Sequence, residues 1–577
     1  MSALVLVVGG LGLYFIAYKT YSKFIATKIY ALSPTYKTPA HEFEDGTDFV
    51  PTNKFVLWGH HFTSVAGAAP IVGPAIAIFW GWLPAALWVV FGTIFFAGIH
   101  DFGTIWISGR HKGRSIGAIS ETQIGVRARS LFMVVIFLLL LMVNAVFAII
   151  IARLFVANPG SVVPIWFQIP VAMAVGVILH KKGGKLLVPS LIALAILYFW
   201  VWLGTVMPFS LPERTFLGLA PQATWVVLLF VYAGIASLLP VWLLLQPRDY
   251  VNSHQLFVAL GVLYLGVIVG NPSMSAPAIN PDVAGAPSII PFLFITIACG
   301  AISGFHGLVS SGTTSKQLDK ETDARFVGYF GSLGEGILAL GAIIATGAGL
   351  AATRGEWAEL YSSWGAASGG AGGFFVAGFA NLGTNIGLPL GFATVLGSVV
   401  VISFAATTMD TGLRLQRYIL SEVGEMFNIP VLRKNVVATT LAAGSCLALA
   451  FGATAAGAEA GSGGLVIWPL FGTTNQLLAA LSLVTITVYL RRLGRNILPA
   501  LIPMAFLLLV TVVAMTISIF QWFGLTGQTP NLLLAIMGSA ILIAALWMMV
   551  EAVIAIRNAG SGGGGALGAE TAPNPGK

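Results

Sequence analysis

Fifteen apolar segments, almost free of charge and each long enough for a hydrocarbon core of roughly 30 Å, follow one another along this chain. They cover residues 3–18, 62–80, 84–107, 131–151, 165–180, 186–207, 223–245, 256–270, 290–310, 326–350, 389–408, 436–455, 465–490, 498–520 and 532–555. Backbone in lipid must pair with itself, which makes each segment a helix. Only 9% of the residues are charged, against about 25% in soluble domains. The expected fold is therefore an all-α polytopic membrane protein with about 15 transmembrane helices. Residues 3–18 have lysines after them and no basic stretch before them, so they read as a retained span, not a signal peptide. Cys299 and Cys446 lie in apolar segments and read as small packed residues.

Charge tests this count. If the spans alternate from an outer N-terminus, all but three of the 29 Lys and Arg fall in inner loops, the exceptions being Arg153, Arg214 and Arg354. Cytoplasmic loops carry such an excess, so the N-terminus is expected outside and the C-terminus inside. The net charge of +8 is then a signal of orientation, and no nucleic-acid partner is expected.

The second segment cannot be a plain helix. Residues 58–80 read WGHHFTSVAGAAPIVGPAIAIFW, with Gly67, Pro70, Gly73 and Pro74 close together. Proline removes a donor and glycine loosens the helix. Freed backbone at membrane depth is tolerated only inside protein or beside a watery cavity. A Pro-kinked structural helix is one reading, and a transporter binding site is the other. Five spans later the seventh segment carries Gly234, Ser237 and Pro240 in mid-membrane. Two interrupted spans in inverted halves suggest a five-plus-five inverted repeat. The expected divisions are 1–57 (first helix and inner loop), 58–420 (transport core, with repeats 58–220 and 221–420), 421–558 (about four accessory helices) and a low-complexity tail, 559–577. The glycine-rich stretch 351–388 reads as a re-entrant or interfacial helix over the outer mouth. The ninth segment, ACGAISGFHGLVSSGTTSKQL from Ala298, is dense in small and hydroxylated residues; these suit close helix packing or ion coordination.

WGHHFTSVAGAAPIVGPAIA from Trp58, HDFGTIWISGRHKGRSIGAI from His100, LLPVWLLLQPRDY from Leu238, SGFHGLVSSGTTSKQ from Ser303 and WPLFGTTNQLLAALSL from Trp468 resemble the carbon starvation protein A (CstA) family. The resemblance runs from the first span to about Arg495. It implies a LeuT-like fold of the APC superfamily in the inner membrane of a bacterium or archaeon. It also implies uptake of peptides or, in some members, of pyruvate with protons. This chain is shorter than the long enteric members.

Ionisable residues inside a membrane need a reason. Asp101 reads either as a coupling or gating acid or as the partner of a nearby Arg or Lys. Glu335 reads as a proton carrier or structural partner. Asp410 reads as the partner of Arg414 one turn on, and Glu551 and Arg557 as interfacial anchors. His61 is expected in a cytoplasmic gate, Asp249 as a further coupling or gating residue, and His306 as a polar group in the transport core. Ser64, Ala66, Gly67, Ala68, Gly73, Ser237 and Pro240, with His306, are the expected substrate-binding residues. Histidine carries protons near neutral pH, which favours H⁺ as the coupling ion. The alternative is Na⁺, held by Ser310, Ser311, Thr313 and Thr314 against carbonyls around Ala66. Asn475 and Gln476 read as amides that bind an outer helix to the core or cap a local break. No metal site, cofactor or catalytic motif is expected: there is no HExxH, GxSxG, membrane GxGD or Walker A sequence. The leading reading is a symporter importing a small carboxylate nutrient, and an intramembrane enzyme, a sensor or a channel are the other classes. A small accessory subunit and the oligomeric state stay open.

Overall fold

The structure, a computed structural model, describes residues 1–560 except 47, 183–186, 216–217, 282, 284, 455–463 and 528. The expected tail lies outside the described residues from 561 onward. Among the described residues, thirteen helices are long and apolar enough to cross a membrane, and a further bent pair forms another span. The ninth expected segment is not among these spans: it is helical only in short pieces.

In chain order the helices are α1 (Ala3–Lys19), α2a (Lys54–Ala66), α2b (Ala69–Ala77), α3 (Trp82–Arg110) and α4 (Val126–Ala157). Next come α5 (Val162–Lys182), α6 (Leu187–Val206), α7 (Pro221–Leu238) and α8 (Leu245–Gly270). The broken ninth span is α9a (Ile289–Thr296) and α9b (Gly304–Gly312), with Ala298–Ala301 as a single turn between them. The rest are α10 (Glu321–Gly349), α11 (Arg354–Leu360), α12 (Trp364–Thr384) and α13 (Leu390–Met426). Last are α14 (Asn435–Gly452), α15 (Gly464–Arg492), α16 (Leu498–Trp522) and α17 (Leu532–Gly560).

The two broken spans run in opposite directions and meet at the centre. Gly73 of α2b lies against the Thr296 carbonyl, and Gly300 packs against Pro74 and Ala339. Each is followed by an unbroken helix that packs on the other: α3 lies against α9b, and α10 lies against α2a and α2b. Glycines make this possible on α10, where Gly331 faces the His61 ring and Gly334 faces the Phe62 ring. Small residues let helix backbones approach in lipid. The two longest helices, α4 and α13, flank the broken pair and pack on each other.

One expectation changes. The seventh segment is not broken in mid-membrane: α7 runs unbroken through Gly234 and Ser237 and ends at Leu238, before Pro240. Its Ser237 hydroxyl is turned back onto the Gly234 carbonyl. The interruption that mirrors α2 lies in the ninth span, where Ile302 and Ser303 are extended. Helix α15, expected to be accessory, is deeply enclosed, with 94% of its apolar window buried. The stretch 351–388 forms α11 and α12, which lie over the end of α2b. Tyr361 donates to the Ala75 carbonyl at 2.7 Å, and the Trp364 ring sits 4.7 Å from that of Trp80. A Thr353–Glu356 capping box starts α11.

Candidate functional site

The break in α2 is enforced at Gly67, whose backbone (φ 49°, ψ −163°) is one that glycine adopts and side chains resist. A Cβ there would lie 3.0 Å from Thr408 Oγ1 and 3.1 Å from Phe147. Pro70 has no N–H to lose in the first turn of α2b, and no side chain caps that turn. The break therefore faces α4 and α13, and the Ile71 and Val72 amides of its first turn are taken by the Ala68 carbonyl.

Asn475 of α15 holds the second break. Its carbonyl oxygen accepts from Phe305 N at 3.0 Å and Ser303 Oγ at 3.2 Å, and its amide donates to Cys299 Sγ at 2.9 Å. Gln476 donates to the Phe294 carbonyl at 3.3 Å. Both amides do what the sequence suggested: they bind α15 to the broken span and cap its loose backbone.

Three helices bring the ionisable residues together just beyond that break. Asp101 of α3 accepts from Ser332 of α10 at 2.7 Å, and its Oδ1 lies 2.7 Å from His100 Nδ1. Its Oδ2 lies 2.9 Å from His306 Nδ1. The other ring nitrogen of His306, Nε2, is 3.1 Å from Glu335 Oε2 on α10. All four ionisable side chains are buried. One imidazole thus sits between two carboxylates, in a buried site that joins α3, α9b and α10. Asp101 does not pair with Arg110, which binds Glu321 instead.

Two further pairs brace α2a. Ser64 donates to Asp249 Oδ2 at 3.2 Å, and His60 Nδ1 lies 3.2 Å from the same oxygen. His61 Nδ1 is 2.9 Å from Thr314 Oγ1. A third group links α7, α8 and α13. Asp410 pairs with Arg248 at 2.6 Å and accepts from Tyr232 at 2.8 Å. Arg414, its expected partner, turns to the Ala236 and Leu239 carbonyls at the end of α7. Beside this group, Asn252 donates to Thr407 at 2.9 Å and Ser403 donates to Gln168 at 3.4 Å.

The structure thus joins Asp101, Glu335 and His306, joins Ser64 with Asp249, and places Ala66, Gly67 and Ala68 at the break. It separates others. Both nitrogens of His306 face carboxylates, so it belongs to the buried charge cluster and not to a substrate lining. Gly73 is a packing residue against Thr296. Ser237 sits beside Thr439, and Pro240 is exposed. The four hydroxyls of the expected Na⁺ site face different partners: Ser311 donates to the Gly307 carbonyl and accepts from Ile116 N, and Thr314 meets His61. Thr313 is half-buried at the end of α9b, and Ser310 is buried without a partner among the described residues. Arg248, Tyr232, Asn252 and Gln168 are not singled out by sequence. Their signal is polarity at membrane depth, and Arg248 reads there as a loop residue.

Two inverted broken helices around a buried polar centre define a multi-pass membrane transport protein. The family model of carbon starvation protein CstA matches residues 2–355 and 347–514, and the chain belongs to that family. It is 34% identical to the pyruvate/proton symporter BtsT of Escherichia coli K12, over 90% of this chain and 82% of that protein. It is 33% identical to the peptide transporter CstA of Bacillus subtilis 168, over 88% of this chain and 89% of the relative. Among solved structures, MhsT in complex with L-phenylalanine aligns at a TM-score of 0.46 and 13% identity, covering 87% of this chain and 99% of that one.

Proposed function

We propose that this chain is a proton-coupled importer of small carboxylate nutrients, pyruvate or short peptides. It works in a bacterial inner membrane with its N-terminus outside and its C-terminus in the cytoplasm. The inverted pair of broken helices supports assignment to the LeuT-like APC superfamily. The observation that carries the proton is the Asp101–His306–Glu335 cluster. Two buried carboxylates around one imidazole leave the cluster with an odd negative charge when His306 is protonated and His100 neutral. One more proton makes it neutral. Buried charge is costly, so the bound proton and the packing of α3, α9b and α10 are coupled. These helices hold the second break and lie against the first, so a proton taken here biases how the broken helices sit. The positive dipole end of α2b, which starts at the break, suits a carboxylate. The names of the relatives support pyruvate and peptides as the substrates to try first.

The test is uptake into proteoliposomes of the purified protein, with labelled pyruvate and a labelled dipeptide run in parallel under imposed pH or Na⁺ gradients. The proposal predicts uptake driven by an inward proton gradient and weakened in Asp101→Asn. Uptake driven by Na⁺ alone would overturn the proton reading, and no uptake of either compound would overturn the substrate class.

A further inference from the structure

Arg248 stands just inside α8 and is buried, with 4% of its side chain exposed. Its partner Asp410 sits near the middle of the 37-residue α13 and is itself buried. Only one of its three nitrogens is used. Nη1 meets both Asp410 and Tyr232 Oη, while Nε and Nη2 have no partner among the described residues. Leaving donors of a buried charged group unpaired is costly. The guanidinium borders a small cavity of about 20 Å³, room for one water. Gln168, Ser403, Tyr232 and Trp166 line it with Arg248.

The unused edge is the one that grips a carboxylate. Arg110 shows this in the same molecule: its Nε and Nη2 donate to the two oxygens of Glu321 at 2.5 and 2.7 Å. Such two-point pairing is the strongest arginine contact and cannot be copied by lysine. We propose that Arg248 binds the carboxylate of the transported solute through Nε and Nη2, with Asp410 and Tyr232 fixing the guanidinium in place. This deepens the proposed import function and rests on it. Asp410 and Ser403 lie on α13, whose Thr408 faces the Gly67 break, so the same helix borders both the carboxylate site and the broken backbone. With room for one water, this is the closed form of the site, and a solute enters when the helices around the cavity separate. A free keto acid and the C-terminus of a peptide share this chemistry.

The experiment uses full-length protein in proteoliposomes. Pyruvate and pyruvamide, and a dipeptide with a free or an amidated C-terminus, compete with the labelled parent compounds. Wild type is expected to favour each acid over its amide by about 10- to 100-fold, the range of a hydrogen bond to a charged group. Arg248→Gln combined with Asp410→Asn removes both charges without stranding either one, and is expected to erase that preference. Should this variant fail to fold, the Ser403→Cys protein supplies a second readout: labelling of the introduced thiol by a maleimide, mapped by mass spectrometry. Pyruvate is expected to slow the labelling and pyruvamide is not. A preference retained in the double variant, or no protection of the introduced thiol by either acid, overturns the site while leaving import intact. If wild type takes up neither parent compound, it is the import reading that fails.

Discussion

Glu335→Gln isolates the coupling step. Glutamine keeps the shape and the contact 3.1 Å from His306 but takes no proton. With Asp101 ionised and His306 protonated, the variant cluster is neutral, which is the charge of the loaded wild-type cluster. The variant is therefore locked in its proton-bound form. For a monoanion carried with one proton the cycle moves no net charge, so only the pH gradient drives it. One pH unit is worth about 1.4 kcal/mol, which sets wild-type accumulation at about tenfold. Glu335→Gln is expected to accumulate nothing above equilibrium. Exchange of labelled for unlabelled substrate needs no proton release and is expected to persist at a reduced rate. The assay is a paired measurement on one batch of proteoliposomes: accumulation under an inward gradient of one unit, then counterflow without a gradient. Accumulation near tenfold in the variant would refute the assignment of the proton to this cluster.

Other consequences follow from single positions. Gly67→Ala forces a side chain into a positive-φ backbone and against Thr408 and Phe147; a loss of about 1–3 kcal/mol is expected as a lower melting temperature in detergent. Gly73→Ala meets the Thr296 carbonyl, whereas Gly9→Ala meets nothing within 4 Å, so the first is expected to destabilise the protein and the second to be neutral in the same assay. Asn475→Ala strips the cap from Phe305 N and is expected to cost about 1–3 kcal/mol, again read from thermal unfolding. Replacing Na⁺ by choline throughout the uptake assay is expected to leave the rate unchanged, because the ninth-span hydroxyls are not gathered around one point.

The spans were legible because lipid leaves the backbone few choices, and the break at Gly67 because four helix-weakening residues crowd it. Asp101, His306 and Glu335 could each be picked out as costly in a membrane. Their meeting could not, since Asp101 and His306 are 205 positions apart and only the packing of α3 on α9b joins them. The second break was misplaced for a physical reason. Gly234 and Ser237 are tolerated inside a membrane helix, and Pro240 falls after the helix end, where proline costs nothing. The true break at Ile302 and Ser303 carries no proline and depends on Asn475, which lies 172 residues from Ser303. Asp410 shows the limit of local spacing. Arg414 is one turn away, but helix ends offer bare carbonyls, and those of α7 take it while Arg248 arrives from α8.

The most direct test of proton coupling is the internal pH of proteoliposomes loaded with a pH-sensitive dye, followed as pyruvate is added outside with no gradient imposed. The account predicts acidification of the lumen by wild-type protein, and little or none by Asp101→Asn or Glu335→Gln. Uptake of labelled pyruvate with no change in internal pH, or equal acidification by the variants, would contradict it.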